Sequence, residues 1–433
     1  MEVFSISILL ISFLLLLSIG TPVAWSIIIS SLFTLFVSVP FLPALTTISQ
    51  RMATGIDSFA LLAIPFFILS GELMNSGGVA HRLVAFAKTL VGFLPGGLAL
   101  INIISAMLMG SVAGSAMASA SAMGSILGPE MEKEGYSRGF GVAINITSAT
   151  TGLVIPPSNI LIVYSLASGG ASIAALFLAG YIPGILTGLF LMIVAMLWAK
   201  KKNFKTGKRE PLKKVLNSFV QAFPSLMLLI VVIGGIVSGV FTATEASAIA
   251  VIYTLVLGFF YKEITLKNLP SILLKSSITT AIVMFLIGAS MSMSWVLSFE
   301  NIPEMISSGI LSLSDNKIVI LLLINLTLLF VGIFMDMTPA VLIFTPIFLP
   351  IVTQLGIDPV HFGIIMILNL CIGLCTPPVG SVLFVGVGVA NTSIQKVIKP
   401  LIPLFLAMII SLLLVTYIPA LSLWLPSIFD LYF

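Results

Sequence analysis

The stretch GLVIPPSNI at residues 152–160 places two adjacent prolines, a serine and an asparagine inside an otherwise apolar segment. A second stretch of the same plan, GLCTPPVGS, occupies residues 373–381. Because a proline lacks a backbone donor and its ring clashes with the preceding helical turn, each pair is expected to interrupt a helix. The sequence therefore predicts two broken helices, one at Pro156 and one at Pro377.

The composition of the chain is that of a membrane protein. Of its 433 residues, 59% are hydrophobic and only 8% are charged, whereas soluble domains carry about 25% charged residues. Apolar runs that approach the ~20 residues needed to cross a bilayer recur along the chain. These runs do not alternate as barrel strands do, for example at residues 186–197, so we predict an all-α polytopic membrane protein.

The sequence carries no signature of nucleotide hydrolysis or of a metal-dependent protease. No Gly-x-x-x-x-Gly-Lys-Ser/Thr motif occurs, and His81 and His361 stand far apart. Cys371 and Cys375 lie in an apolar segment with no histidine close in sequence, and we interpret them as small packing residues. We therefore expect no enzymatic activity and no bound cofactor, and any transport must draw its energy from an ion gradient or from another chain.

The two Pro-Pro pairs mark an internal repeat. The sequence numbers of Pro156 and Pro377 differ by 221, and the same offset relates other identical residues. These further pairs include Thr21 and Thr242, Ser26 and Ser247, Pro129 and Pro350, and Gly135 and Gly356. One offset that holds from near the start to near the end predicts two homologous halves. We assign residues 1–199 to the first half, 200–215 to a linker and 216–433 to the second half.

The linker between the halves is strongly basic. The stretch KKKNFKTGKREPLKK at residues 200–214 has eight lysines or arginines among its fifteen residues. Such a patch could bind lipid headgroups or nucleic acid, but basic loops of membrane proteins generally collect on the cytoplasmic side. We interpret it as a cytoplasmic loop and expect no nucleic-acid partner.

This linker fixes a predicted topology. We place five crossings in the first half, near residues 3–20, 23–40, 59–76, 139–168 and 171–199. Because the first half has an odd number of crossings and ends in a cytoplasmic linker, the N-terminus is predicted to lie outside. The second half then has the opposite orientation in the membrane, as in the inverted repeats of secondary transporters. In this arrangement 17 of the 19 basic residues are cytoplasmic, and only Arg51 and Lys317 are not.

Each half also contains segments that do not cross the membrane. Residues 78–92 and 300–311 have the apolar and polar faces typical of helices that lie in the membrane plane. Residues 97–128 must enter and leave by one face, as two arms of ~14 residues that reach only ~21 Å into a ~30 Å core. We therefore predict a half-spanning hairpin with its tip at residues 110–119, and a counterpart with its tip at residues 332–341.

The hairpin tips and the helix breaks together predict a polar site near the membrane centre. A broken helix frees carbonyl groups, and we expect its second half to begin with proline, where no backbone donor is needed. Irregular backbone at this depth is tolerated only inside protein or beside a water-filled cavity. Free carbonyls and nearby hydroxyls can coordinate a cation, while half-helix N-termini suit an anion. Asp336 is the one carboxylate placed at a tip, where an acid is a functional candidate. A helix cap or solvated carboxylate at Asp336, simple Pro-Pro kinks and close packing of small residues are the alternatives.

Several motifs in a fixed order carry a family resemblance. They are AIPFFILSGELMNSGG at 63–78, GSVAGSAMASASAMG at 110–124, TTGLVIPPSN at 150–159, GVFTATEASA at 239–248 and GIFMDMTPA at 332–340. With the second Pro-Pro stretch they extend over nearly the whole chain. The chain resembles the large membrane subunit of the tripartite ATP-independent periplasmic (TRAP) transporters, within the ion-transporter superfamily.

This resemblance implies a Na⁺-coupled importer in a bacterial inner membrane, in which a transport domain slides against a scaffold by an elevator mechanism. It implies two partners, a periplasmic substrate-binding protein and a small four-helix membrane subunit. In a bacterial inner membrane, the topology predicted above places both chain termini in the periplasm. Only residues 1–20 precede the Thr21-Pro22 region, so we expect the small subunit on a separate chain. Family substrates are mostly carboxylates, including C4-dicarboxylates, sialic acid, other sugar acids and keto acids.

The resemblance also implies where ions and substrate bind. The candidate Na⁺ ligands are Ser111, Gly114, Ser115, Thr151, Gly152, Pro156, Gly332, Asp336, Gly373, Thr376 and Pro377. The candidate substrate contacts are Ser115, Ser158, Asn159, Asp336, Thr338 and Ser381. The second tip lacks the serines of the first, so we expect two chemically different sites. A stand-alone Na⁺/carboxylate symporter is the nearest alternative function, and an ion channel is a more distant one.

Overall fold

A computed structural model describes residues 2–202, 204, 207, 209–313 and 316–431, and every regular element in these ranges is helical. The α-helices are α1 (Glu2–Ser18), α2 (Val23–Leu35), α3 (Phe41–Gly55), α4 (Ala63–Ser76), α5 (Val79–Val91), α6 (Gly97–Ala113), α7 (Ala116–Lys133), α8 (Arg138–Thr151), α9 (Asn159–Ala167), α10 (Ile173–Lys202), α11 (Leu212–Val237), α12 (Ala243–Phe260), α13 (Leu269–Phe299), α14 (Ile302–Leu313), α15 (Lys317–Phe334), α16 (Met337–Gln354), α17 (Pro359–Gly373), α18 (Ser381–Val389), α19 (Ile394–Tyr417) and α20 (Ala420–Ile428). A 3₁₀ turn at Phe59–Leu62 precedes α4. Lys205 and Lys208 of the basic linker lie outside the described residues.

The helices have the length and composition of membrane spans. Within the described ranges, eight helical segments are long and apolar enough to cross a membrane, and four shorter helices are also strongly apolar. The longest are α13 with 31 residues and α10 with 30. This confirms the prediction of an all-α polytopic membrane protein.

Helix boundaries in the second half repeat those in the first. Helix α7 begins at Ala116 and α16 begins at Met337, and both helices have 18 residues. Helices α8 and α17 begin at Arg138 and Pro359, which again differ by the offset of the two Pro-Pro pairs. These boundaries support the division of the chain into two repeats around residues 200–215, which remains a proposal.

One helix of the first half was not predicted. Helix α3 covers Phe41–Gly55, where a connection between two crossings was expected. The equivalent stretch of the second half, residues 262–276, is a connection followed by the start of the single long helix α13. The first half carries Gly55 and Asp57 where the second carries Ser276 and Ile278. Glycine and aspartate favour helix ends, which explains why α3 and α4 are separate helices.

Both predicted hairpins are present, with longer arms than expected. Helices α6 and α7 have 17 and 18 residues, because α7 continues through Pro129 to Lys133. The turns fall at residues 114–115 and 335–336, within the two predicted tips. Both hairpins therefore present a short, irregular backbone segment to the interior of the protein.

The two helix breaks are where the Pro-Pro pairs predict them, but the prolines occupy a different position. Helix α8 ends at Thr151, α9 begins at Asn159, and both prolines lie in the connection. The expectation that the second half-helix begins with proline is therefore wrong. A proline disfavours helical backbone in the residue before it, and Ser158 is also extended, with φ −131° and ψ 124°.

Candidate functional site: a cavity between the hairpin tips

Glycine contacts hold each hairpin against a broken helix. A Cβ atom at Gly152 would lie 2.9 Å from the Gly110 Cα. In the second half a Cβ at Gly373 would lie 2.6 Å from the Gly332 Cα. Since real Cβ atoms do not approach backbone so closely, only glycine permits these contacts, which bring each tip beside a helix break.

The two tips and the two breaks enclose one central cavity of about 270 Å³. Six of the predicted site residues line it: Gly114, Ser115, Asn159, Asp336, Thr338 and Ser381. The lining also includes Ile64 and Glu72 of α4 and Thr279 and Val283 of α13. Segments from both halves of the sequence thus face the same space.

Four helices begin at this cavity. Helices α7 and α9 begin at Ala116 and Asn159, and helices α16 and α18 begin at Met337 and Ser381. The first turn of a helix has backbone N–H groups without intrahelical partners and carries the positive end of the helix dipole. The cavity is therefore lined by groups that attract an anion, although no lysine or arginine of the described chain lines it.

The two tips offer different side chains to the cavity. Asp336 occupies the N-cap position of α16, but its side chain makes no capping hydrogen bond and is exposed. Ser115 occupies the N-cap position of α7, and its Oγ accepts a hydrogen bond from the Ala118 N–H at 3.2 Å. The Asp336 carboxylate interacts with the Met337 backbone N–H and also lines the cavity, where it can reach a ligand. The Ser115 hydroxyl can act as a donor.

Two serine hydroxyls at the helix breaks are buried without partners. Among the described residues, Ser158 Oγ and Ser381 Oγ are both buried and make no hydrogen bond. A buried hydroxyl without a partner is unfavourable unless a ligand or water satisfies it. Ser381 lines the cavity, so its hydroxyl is the better placed of the two to contact a bound molecule.

The other candidate Na⁺ ligands do not line the cavity. Ser111 and Thr151 each donate a hydrogen bond to a carbonyl of their own helix, at 2.9 and 2.8 Å. Thr376, just after α17, donates to the Ile372 carbonyl at 2.8 Å. Gly152, Gly332 and Gly373 form the close backbone contacts, and Pro156 and Pro377 lie in the breaks. The cation ligands of these segments remain predictions.

One charged pair beside the cavity was not predicted. The Glu72 carboxylate lines the cavity and lies 3.0 Å from the Lys275 ammonium group on α13. Glu72 lies within the apolar motif at residues 63–78, and an acid inside an apolar helix is itself a signal of function. Its partner could not be found from the sequence, because the pairing depends on the packing of α4 against α13.

Similarity to known proteins assigns the family. A family model described as "Tripartite ATP-independent periplasmic transporter, DctM component" matches residues 10–421. The chain belongs to the DctM family. Several similar members are named as TRAP transporter permeases, so this DctM-family chain is a membrane transport component and not an enzyme.

Individual relatives align with the DctM-family chain over nearly its full length. A protein of Salmonella typhimurium named "Uncharacterized protein YgiK" is 56% identical over 99% of this chain and 98% of its own. The isethionate TRAP transporter permease DctMQ of Oleidesulfovibrio alaskensis is 40% identical over 95% of this chain but 65% of its own length. Other members are named for C4-dicarboxylate, sialic acid and 2,3-diketo-L-gulonate.

A solved structure shares the fold. The YdaH transporter of Alcanivorax borkumensis superposes with a TM-score of 0.65 and covers 90% of both chains, at 13% identity. This likeness supports the arrangement of the helices in the DctM-family chain.

Proposed function

We propose that this chain forms the membrane pathway of a TRAP transporter and imports a small organic acid together with Na⁺. The observation that carries the proposal is the meeting of four helix N-termini with Asp336 and Ser381 at one cavity. Helix N-termini bind carboxylates through backbone N–H groups, so an anion needs no basic side chain there. A volume of about 270 Å³ suits a ligand near the small end of the usual range.

The charges around the cavity favour a coupled cation. Asp336 and Glu72 both line it, and the nearby Lys275 is already paired with Glu72. An anionic substrate would therefore enter beside uncompensated negative charge, which is unfavourable away from bulk water. Bound Na⁺ at the tips would offset this charge and make substrate binding depend on the ion gradient.

The walls of the cavity support an elevator mechanism. The lining combines the hairpin tips and half-helices with residues of α4 and α13. In this proposal the first set is the transport domain, which slides along the second set and carries substrate and Na⁺ with it. The cavity would then open to one side of the membrane at a time.

The proposed setting follows the family. We place the chain in a bacterial inner membrane with both termini on the periplasmic side. A periplasmic binding protein delivers the substrate, and a small four-helix subunit on a separate chain completes the permease. One relative is named for isethionate, which is a sulfonate. The proposed substrate class is therefore small organic acids, and carboxylates such as C4-dicarboxylates or sialic acid are the leading candidates.

Reconstitution would test this function. The chain, its small subunit and its binding protein would be combined in proteoliposomes and given radiolabelled succinate, sialic acid, 2,3-diketo-L-gulonate or isethionate. We expect uptake of one substrate only when all three components and an inward Na⁺ gradient are present. Uptake without the binding protein and small subunit would favour a stand-alone symporter, and an ion current without substrate would favour a channel.

A further inference from the structure

A second, strongly basic concavity lies at one end of the helix assembly. We call it the basic groove and define it by Arg138, Lys201, Lys202, Lys396 and Lys399, which line a cavity of about 910 Å³. These five side chains come from the start of α8, the end of α10 and the start of α19. The groove is separate from the central cavity, since the two have no lining residue in common.

Packing contacts build this groove. A Cβ atom at Gly139 would collide with the Lys396 carbonyl oxygen, so glycine allows α8 to lie directly on α19. Phe204, which follows α10, packs on Tyr136 with 4.0 Å between ring centroids. The Phe204 N–H also donates to the Ala199 carbonyl at 3.1 Å, so Phe204 packs at the end of α10 and lines the groove together with Lys201 and Lys202.

The charge of the groove is largely uncompensated. Arg138 pairs with Glu132 at 2.8 Å. The four lysines are exposed and form no ion pair with any described residue. Glu134 lies in the loop next to Tyr136, and Glu130 at the end of α7 is paired with Lys88. Positive charge therefore exceeds negative charge here, which favours an anionic ligand.

A polar atom inside the groove also lacks a partner. Thr392 lines the groove, and its Oγ1 is buried without a hydrogen bond to any described residue. The next residue, Ser393, is the N-cap of the 24-residue helix α19 but makes no side-chain capping bond. An unsatisfied hydroxyl beside an open helix N-terminus adds donors to the lysine cluster and points to a bound oxyanion.

Apolar surface continues from the groove along the same two helices. Leu197 and Ile193 on α10 are 63% and 46% exposed, and Ile402 on α19 is 53% exposed. Trp198 lines the groove itself and stacks on Phe140 at 5.1 Å. A tryptophan between charged and apolar surface is typical of the membrane interface.

We propose that the basic groove binds the headgroup of an anionic phospholipid, whose acyl chains lie on the exposed faces of α10 and α19. The lysines and the Thr392 hydroxyl contact the phosphate, and the apolar side chains explain why the source is a lipid and not a free phosphate ester. Clustered basic residues beside membrane helices generally bind acidic lipids through attraction between the positive side chains and the negative headgroups. This site does not depend on the proposed transport function.

Native mass spectrometry of the purified chain tests the proposal, with phosphatidylglycerol and phosphatidylcholine as probes. We expect Lys396→Gln/Lys399→Gln to weaken phosphatidylglycerol binding by about 25-fold, since each lysine near a lipid surface contributes about fivefold. The matched control is Lys213→Gln/Lys267→Gln, which removes two exposed lysines outside the groove and should leave binding unchanged. Lys396→Arg/Lys399→Arg keeps the charge and should keep most of the binding.

Several results would overturn the lipid site. Equal loss in the groove pair and the control pair would show a general effect of net charge. Unchanged binding in Lys396→Gln/Lys399→Gln would remove the groove from lipid recognition. Equal affinity for phosphatidylcholine would exclude an anionic headgroup site. Displacement of the lipid by an excess of glycerol phosphate would identify a site for free phosphate esters instead.

Discussion

The Cys371 thiol donates a hydrogen bond to the Thr150 carbonyl oxygen at 3.0 Å, and these two residues are 221 positions apart. Equivalent positions of the two proposed repeats are therefore in contact. Cys375 also lies 3.3 Å from the Thr150 Oγ1. Helices α8 and α17 thus pack together next to their breaks, and the two cysteines are buried packing residues with free thiols.

This contact predicts that the two broken helices move as one unit. In the variant Thr150→Cys/Cys371→Ala, the introduced thiol replaces the hydroxyl that faces Cys375, close enough for a disulfide to form on oxidation. We expect the cross-linked protein to retain at least half of the uptake of the reduced protein, with disulfide formation followed by mass spectrometry. Cys371→Ala alone is the control. Loss of uptake on oxidation, restored by reduction, would show that α8 and α17 separate during transport.

The glycine contacts make a prediction about packing. Gly373→Ala places a methyl group 2.6 Å from the Gly332 Cα, and overpacking of this kind typically costs about 1–3 kcal/mol. We expect a lower thermal unfolding midpoint and reduced uptake. Gly234→Ala is the matched control, because no atom lies within 4 Å of its added Cβ and alanine favours helix over glycine. A destabilised Gly234→Ala with an unaffected Gly373→Ala would contradict this account of the contacts.

The Ser381 hydroxyl has no hydrogen-bond partner among the described residues, so its removal should affect ligand binding without lowering the stability of the fold. Removing a buried hydroxyl without a partner removes no hydrogen bond from the fold, so Ser381→Ala should leave the unfolding midpoint unchanged or slightly higher. If this hydroxyl contacts the substrate, the KM for uptake should rise roughly fivefold, which corresponds to one lost hydrogen bond. Ser125→Ala, at an exposed position of the first hairpin, should change neither quantity. An unchanged KM in Ser381→Ala would exclude this contact.

Inverted topology can be tested at equivalent positions. Lys133 and Gln354 end the second arms of the two hairpins, and both are exposed. In a background with Cys371→Ala and Cys375→Ala, Lys133→Cys should react with an impermeant maleimide only from the cytoplasmic side. Gln354→Cys should react only from the opposite side. Labelling of both from the same side would show parallel repeats.

The features that could be predicted from the sequence are those that depend on local sequence patterns. The Pro-Pro pairs, the apolar runs and the common offset between the two halves each act within one segment or its copy. They predicted the broken helices and the hairpins, and they placed Asp336 at a tip turn, where α16 begins. Such local signals are reliable because a helix in a membrane must satisfy its own backbone.

Features that depend on contacts between distant segments could not be predicted. Glu72 meets Lys275 only because α4 packs against α13. The basic groove collects residues from α8, α10 and α19, for which the sequence predicted only a shared cytoplasmic side. Helix α3 was missed because its polar residues resemble a connection. For the ion pair and the groove the deciding contacts are tertiary and leave no pattern in the local sequence, whereas α3 was missed through its own composition.

The central claim is that Asp336 at the cavity couples a cation to transport, and the Na⁺ dependence of uptake in Asp336→Asn tests it most directly. The fold should survive, because the Asp336 side chain makes no capping hydrogen bond. We expect the Na⁺ concentration for half-maximal uptake to rise at least ~10-fold, about 1.4 kcal/mol. The control is Asp430→Asn. Asp430 is exposed and has a positive φ, which asparagine also tolerates, so this variant should show the same Na⁺ dependence as the unmodified protein. Unchanged Na⁺ dependence in Asp336→Asn would contradict the account.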